Sequence, residues 1–306
     1  MKKTIFSLSM MFFSLMTWAQ PQGFGQSGPE PDWKDINYAG DEMEAHRLDI
    51  YLPKDGRDKH KVVVAIYGSA WFSNNMKSMA YMSIGKPLTE AGFAVVCINH
   101  RSSSDAKYPA QINDVKGALR FIRANADKYK LDTSFIGITG FSSGGHLSSM
   151  AGVTNGMKSH TIGEKTIEVE GNVGGNNKFS SNVDAVVDWF GPIDMTRMNN
   201  CETVKDANSP EAALIGGNPA DNMDMTQLSS PYFYVSKSTV PFVVIHGDAD
   251  NVVPYCQSVY FSEELKKNGK LADFITVSGG QHGPVTFNND TFKKMVDFFK
   301  KEAKMK

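Results

Sequence analysis

Residues 135–150, FIGITGFSSGGHLSSM, limit the folds open to this chain more than any other stretch. Phe135-Ile136-Gly137-Ile138-Thr139 is a short apolar run. Gly140-Phe141-Ser142-Ser143-Gly144 follows at once and leads into small residues able to start a helix. A strand that becomes a helix across so short a turn holds its central residue in a strained conformation, with the side chain lifted clear of the sheet. Side chains two positions before and after that residue would collide, so Gly140 and Gly144 carry none. The G-x-S-x-G spelling alone also fits an inert glycine- and serine-rich turn. The strand before it and the helix after it point instead to Ser142 as a nucleophile. The rest of the chain must then supply a base, an acid and oxyanion donors.

The other elements suit such a turn. Val62-Val63-Val64-Ala65-Ile66-Tyr67 and residues 93–98 are continuous apolar runs, as expected of strands covered on both faces, with a helix over 79–91 between them. Two edge strands are expected within 36–51. Pro109 opens a helix whose stripe is Ile112, Val115, Leu119 and Ile122. Strands at 183–190, 242–245 and 273–277 and helices at 257–267 and 292–304 complete an α/β class fold, a mainly parallel sheet with helices on both faces. Residues 156–181, polar and without period, read as a lid or a loop bordering the site. No repeat and no second apolar domain is visible, so residues 35–306 are expected to form one domain.

At its start the chain carries Lys2 and Lys3, then an apolar stretch over 5–16, then Thr17-Trp18-Ala19. This is the pattern of a secretory signal peptide, residues 1–19, cut after Ala19, followed by a flexible leader over 20–34. The apolar run is too short to span a bilayer comfortably, and no cysteine near the cut invites a lipid anchor. The mature protein is therefore expected to be secreted or periplasmic, without stable membrane insertion. The net charge of -1, from 32 basic and 33 acidic residues, gives no reason to expect nucleic acid as a partner. Of the three cysteines, Cys97 sits in an apolar strand and reads as a small buried hydrophobe. Cys201 and Cys256 fall in loops on one sheet edge, where a disulfide and two free thiols are both open. No Cys/His pair has metal-ligand spacing.

Loops leaving the carboxyl ends of parallel strands form one crevice. Two of them carry His246-Gly247-Asp248-Ala249-Asp250 and Ser278-Gly279-Gly280-Gln281-His282-Gly283, which gives the chain order Ser, Asp, His. His282 is the candidate base. His160 lies in the polar loop, His146 points along the helix after Ser142, and His246 is expected to cap its loop. Asp250 is the candidate acid, and Asp248 is assigned to the turn. Oxyanion donors are expected from the Ser143 amide and from the loop Tyr67-Gly68-Ser69-Ala70-Trp71-Phe72, through Ala70 or Ser69. Trp71, Phe72 and Trp189, with Phe190, are candidates for stacking on a sugar or a phenolic acid, against the alternative of core packing.

With these pieces assembled, the chain resembles the α/β-hydrolase esterase/lipase superfamily, in the branch of bacterial acetylxylan and feruloyl esterases. The resemblance also rests on Tyr108-Pro109-Ala110-Gln111-Ile112-Asn113-Asp114, Gly144-Gly145-His146-Leu147, Val186-Val187-Asp188-Trp189-Phe190-Gly191-Pro192 and Ser209-Pro210-Glu211. It implies a serine carboxylic-ester hydrolase that needs no cofactor or metal and acts on acylated carbohydrate or other small esters by a Ser142–His282–Asp250 acyl-enzyme mechanism. The family spells the oxyanion loop His-Gly-Gly-x-Trp; here Tyr67 replaces the histidine and Ser69 a glycine. That departure keeps a weakly active or non-catalytic carbohydrate-binding relative in view. A serine peptidase could use the same triad, but many exported peptidases of this fold carry a large domain in front, and here a short leader precedes the first strand.

Overall fold

The computed structural model describes residues 28–202 and 206–305. The expected signal peptide and residues 20–27 of the leader lie outside the described residues. Ten strands are present among the described residues: β1 (Trp33–Asn37), β2 (Arg47–Tyr51), β3 (His60–Ile66), β4 (Ala94–Ile98), β5 (Leu131–Phe141), β6 (Ser159–Ile162), β7 (Lys165–Glu168), β8 (Ala185–Trp189), β9 (Phe242–Gly247) and β10 (Leu271–Val277). Eight of them form one sheet in the order β1-β2-β4-β3-β5-β8-β9-β10. β1 and β2 pair antiparallel, as do β2 and β4, and every other pair in that sheet is parallel. β1 begins at Trp33, inside the stretch expected to be leader, because the Asp35 amide and its neighbours pair with the second strand.

Helices cover both faces: α1 (Lys77–Ala80), α2 (Lys86–Glu90), α3 (Ala110–Ala124), α4 (Ser143–Val153), α5 (Pro210–Ile215), α6 (Met223–Leu228), α7 (Cys256–Lys267) and α8 (Asn289–Glu302). α1 and α2 are joined by one π turn, Tyr81–Gly85, so a nearly continuous helix fills the interval where one was expected. Ile112, Val115, Leu119 and Ile122 of α3 are buried against one face of the sheet, while Phe298 and Phe299 of α8 pack on the other. β3, β4 and β5 are almost wholly buried, as their unbroken apolar runs require.

Residues 156–181 are not a lid. β6 and β7 form an antiparallel hairpin there, and the coil after it is tied to α3. Asn113 donates to the carbonyls of Glu168 and Val169; Arg120 donates to those of Glu170, Val173 and Gly175 and pairs with the Glu170 carboxylate. Side chains of α3 thus supply donors to five backbone carbonyls between residues 168 and 175. None of these residues lines the cleft around Ser142.

Parallel registry brings the working ends into line. Ile66 of β3 lies beside Gly140 of β5, and Phe141 beside Trp189 of β8. The loops after β3, β5, β9 and β10 therefore open on one edge.

Candidate active site

Ser142 joins β5 to α4 at φ +56° and ψ −127°, a conformation that costs a non-glycine residue roughly 1–3 kcal/mol. Close packing holds it there. A Cβ at Gly140 would run into the carbonyl of Gly144, and one at Gly144 into that of Ile66. The Ser142 amide donates to the Trp189 carbonyl at 2.9 Å, fixing the turn to β8.

The structure brings Ser142, His282 and Asp250 together. His282 Nε2 is 2.9 Å from Ser142 Oγ, and His282 Nδ1 is 2.7 Å from Asp250 Oδ2. With the proton on Nδ1 donated to the carboxylate, Nε2 is left to accept the serine proton. Phe190 flanks the imidazole, its ring centroid 4.6 Å away. Asp248 stands apart, exposed, and accepts the Gly279 amide at 2.6 Å, so it shapes the turn as expected.

Asp250 is held on both oxygens. Oδ1 accepts the amides of Val252 and Val253, at 2.8 and 2.9 Å. Oδ2 takes His282 and, at 3.2 Å, Nε2 of the fully buried His246. Burial alone would raise the carboxyl's pKa; the hydrogen bonds from His246 and His282 outweigh it and hold the group below the usual carboxylate range. His246 thus does more than cap its loop, since its Nδ1 also meets Ser258 Oγ at 2.7 Å. Its sequence signal was slight: a histidine four positions before the acid, with a serine on α7 that only the fold brings near.

The loop from Tyr67 to Ser73 faces this array. The Phe72 amide donates to the Ser69 carbonyl at 2.9 Å, and Ala70 and Trp71 between them both have positive φ, +51° and +60°. Neither is glycine, so side chains hold the turn. The Tyr67 hydroxyl donates across the loop to the Ser73 carbonyl at 3.0 Å, while its ring stacks on His100 at 5.0 Å. The Trp71 indole donates to Nδ1 of buried His146 at 3.2 Å, and Nε2 of His146 meets the Ser229 carbonyl at 2.7 Å. Burial pushes His146 down to about 4, which keeps the ring neutral and Nδ1 an acceptor. His146 is therefore an anchor of this loop, a role its place along α4 did not suggest.

Three expectations change. Trp189 is fully buried and donates to Thr139 Oγ1 at 3.2 Å; it stands at a strand end but inside the core, so it offers no ligand surface. Trp71 is 1% exposed and contributes only an edge to the cleft, because its indole is spent on His146. The Ser69 amide donates to Ser143 Oγ at 2.8 Å, so it is occupied, which leaves the Ala70 and Ser143 amides as the donors on offer. Phe72 does lie at the cleft, 52% exposed.

Two lobes meet at Ser142. One, of about 460 Å³, is the more polar of the two, with Asn199, Asp206, Ser209 and Glu211 in its wall. The other, of about 570 Å³, is lined by Phe72, Met76, Phe141, Phe190 and Phe287. The polar wall is anchored to α7: the Gln257 side chain bonds the backbone of Ile193, Asp194 and Arg197, and Cys201 pairs with Cys256 at a Cα–Cα distance of 6.3 Å. Cys97 is free and buried. Among the described residues, no group of three or more His, Cys, Asp or Glu could hold a metal ion, and no helix is long and apolar enough to cross a membrane.

A family profile described as BD-FAE matches residues 48–265. Among curated proteins, the chain is 31% identical over 238 residues to the "Probable carboxylic ester hydrolase LipM" of Mycobacterium tuberculosis, covering 77% of this chain and 52% of that one. It is 29% identical over 241 residues to "Esterase LipC" of the same organism, covering 78% of this chain and 57% of that one. The chain spans about half the length of these relatives. Among solved structures, a bifunctional GH43-CE protein of Bacteroides eggerthii superposes with TM-score 0.87 at 68% identity, over 89% of this chain and 35% of that one. A truncated carbohydrate esterase from gut microbiota gives TM-score 0.88 at 55% identity, over 89% of this chain and 96% of that one.

Proposed function

The chain belongs to the BD-FAE family of α/β-hydrolases, and on that premise we propose that it is a secreted serine carboxylic-ester hydrolase removing acetyl or feruloyl groups from xylan or its oligosaccharides. The observation that carries the reading is the continuous line from Asp250 through His282 to Ser142 Oγ, opening where the two lobes meet. Relatives named for carbohydrate esterase activity support the substrate class.

The geometry suits two-step acyl transfer. Ser142 Oγ attacks the ester carbonyl while its proton passes to His282 Nε2. Asp250, kept ionised, orients the imidazole and stabilises its charged form. The tetrahedral oxyanion is held by the Ala70 and Ser143 amides; Ser143 opens α4 and so carries one of the N–H groups that a helix start leaves without an intrahelical acceptor. His282 then protonates the departing alcohol, and water repeats the sequence to release the acid. The apolar lobe offers surface to an aromatic acid, and the polar lobe offers hydroxyl partners to a sugar. The altered loop does not favour a non-catalytic relative, since Tyr67 braces it by its bond to Ser73.

Export is supported by the charged and apolar pattern of residues 1–19 and suits the Cys201–Cys256 pair, which persists in oxidising surroundings. Detecting the processed chain outside the cytoplasm checks that part. For the chemistry, release of acetate and ferulate from acylated xylo-oligosaccharides should fall on the order of 10⁴-fold or more in Ser142→Ala. Retained turnover in that variant removes the site assignment; release of neither acid by the native protein removes the substrate.

A further inference from the structure

Ser143 is 1% exposed and is the first residue of α4. Its Oγ accepts the Ser69 N–H at 2.8 Å. A hydroxyl can donate one proton while accepting at its lone pairs, and among the described residues the Ser143 proton has no protein acceptor. The residue lines the polar lobe beside Ser142 and Ala70. Its Oγ therefore stands between the start of α4 and the Tyr67–Ser73 loop, the two sides from which an oxyanion on Ser142 would be held. The Ser69 side chain is engaged elsewhere, accepting the Ser73 amide at 3.3 Å.

We propose that the Ser143 hydroxyl is itself a catalytic group, donating a third hydrogen bond to the oxyanion. It relays the Ser69 amide, which it has taken out of direct use. This rests on the acyl-transfer reading of Ser142. As Ser142 Oγ bonds to the ester carbon, the carbonyl π pair moves to oxygen and the serine proton to His282. The new negative charge receives N–H from Ala70, N–H from Ser143 and O–H from Ser143. No proton leaves Ser143: on collapse the pair returns, the C–O bond to the alcohol breaks, and the alcohol departs with the proton from His282. The donation from Ser69 polarises the hydroxyl, and hydrogen bonds linked in this way reinforce one another. Rotation about Cβ–Oγ lets the O–H follow the oxygen as the carbon becomes tetrahedral. Ser69 and Ser143 thus act as one device: the side chain of Ser143 stands in for the amide that its neighbour gave up.

The test is steady-state hydrolysis of an aryl acetate by Ser143→Ala and Ser143→Cys, with binding of an aryl trifluoromethyl ketone, which adds to Ser142 as a stable tetrahedral oxyanion. Ala keeps the amide and removes the donor; Cys keeps the bulk and supplies a much weaker one. Both should lower kcat on the order of 10²-fold, the usual cost of one oxyanion donor, with KM within about twofold. Ketone affinity should fall in parallel, and the thermal midpoint reports whether each variant is folded. A kcat that is unchanged or raised in a folded variant overturns the proposal, since the hydroxyl would then only occupy the Ser69 amide. So does a loss confined to KM. Full activity of Ser142→Ala in the same assay would instead remove the acyl-transfer reading beneath it.

Discussion

His246 Nε2 and His282 Nδ1 converge on a single oxygen of Asp250, at 3.2 and 2.7 Å. The candidate acid thus has an imidazole on each side, one fully buried and one at the cleft. His246 is a positioning residue: its bond to Oδ2 and the two amides on Oδ1 leave the carboxylate one orientation, the one that faces His282.

Removing that second imidazole should slow the chemistry without weakening substrate binding. His246→Ala is expected to lower kcat roughly 10- to 10²-fold, in the range of a misplaced base, with KM nearly unchanged. Stability should fall by about 1–3 kcal/mol, because a buried carboxylate loses a donor. A kcat equal to that of the native protein would show that the two backbone amides orient Asp250 unaided.

Trp71 and His146 should behave as a coupled pair. Trp71→Phe and His146→Leu each break the 3.2 Å bond that anchors the loop, and each should reduce kcat about tenfold. The double variant should lose little more than either single one, since each substitution removes the same indole–imidazole bond. Independent, multiplying losses in this cycle would separate the two.

Asp188 should make the folded chain lose stability as pH rises from about 4 to about 7. It is fully buried at the end of β8; Oδ1 accepts the Gly191 amide at 3.1 Å, and Oδ2 has no partner among the described residues. Burial pushes this carboxyl up to about 7, against a weaker opposing pull from the Gly191 N–H. The folded chain keeps a proton that the unfolded chain releases near pH 4. The stability tied to that proton is complete below about pH 4, declines as pH rises and is gone above about pH 7. Asp188→Asn keeps an acceptor for Gly191 and cannot ionise. It should match the native protein near pH 4 and exceed it near pH 8 by up to about 4 kcal/mol in denaturant titrations. Identical curves at both pH values would contradict a neutral Asp188.

Opening the disulfide should act on the polar wall and leave the triad in place. Cys201 and Cys256 are 55 positions apart, for which closing the loop contributes roughly 4 kcal/mol in the chain-entropy account. Cys201→Ser should lower the thermal midpoint by several degrees. KM for an acylated oligosaccharide should rise more than KM for an aryl acetate, since Asn199 and Glu211 stand in that wall. An equal change in both would detach the wall from sugar recognition. Gln257 still holds residues 193–197 in the variant, so the loss stays local.

The parts legible in the sequence were those fixed by backbone geometry. Gly140 and Gly144 announced the turn because atoms of neighbouring segments fill the space their side chains would take. The strands showed themselves because burial on both faces demands unbroken apolar runs. Asp250 and His282 followed from the order of strand ends. What stayed hidden depends on where side chains reach after folding. His246, His146 and Ser258 meet their partners across loops, and nothing in their local spelling marks it. The polar wall came from residues 192–199 and 206–211, while residues 156–181 were as polar and irregular and turned out to be bonded to α3. Trp189 misled because a strand end can lie inside the sheet's cover as well as at its rim.

The bond from Tyr67 to Ser73 closes the loop facing Ser142 on itself. Ala70 and Trp71, held at positive φ, together cost about 2–4 kcal/mol of backbone strain, and that cost is met once, when the chain folds. An arriving ester finds its receptor already ordered and gives up none of its binding energy to shape it. The expense of preorganisation therefore falls on the global folding equilibrium and not on affinity, so variants that relax this loop should trade turnover for thermal tolerance.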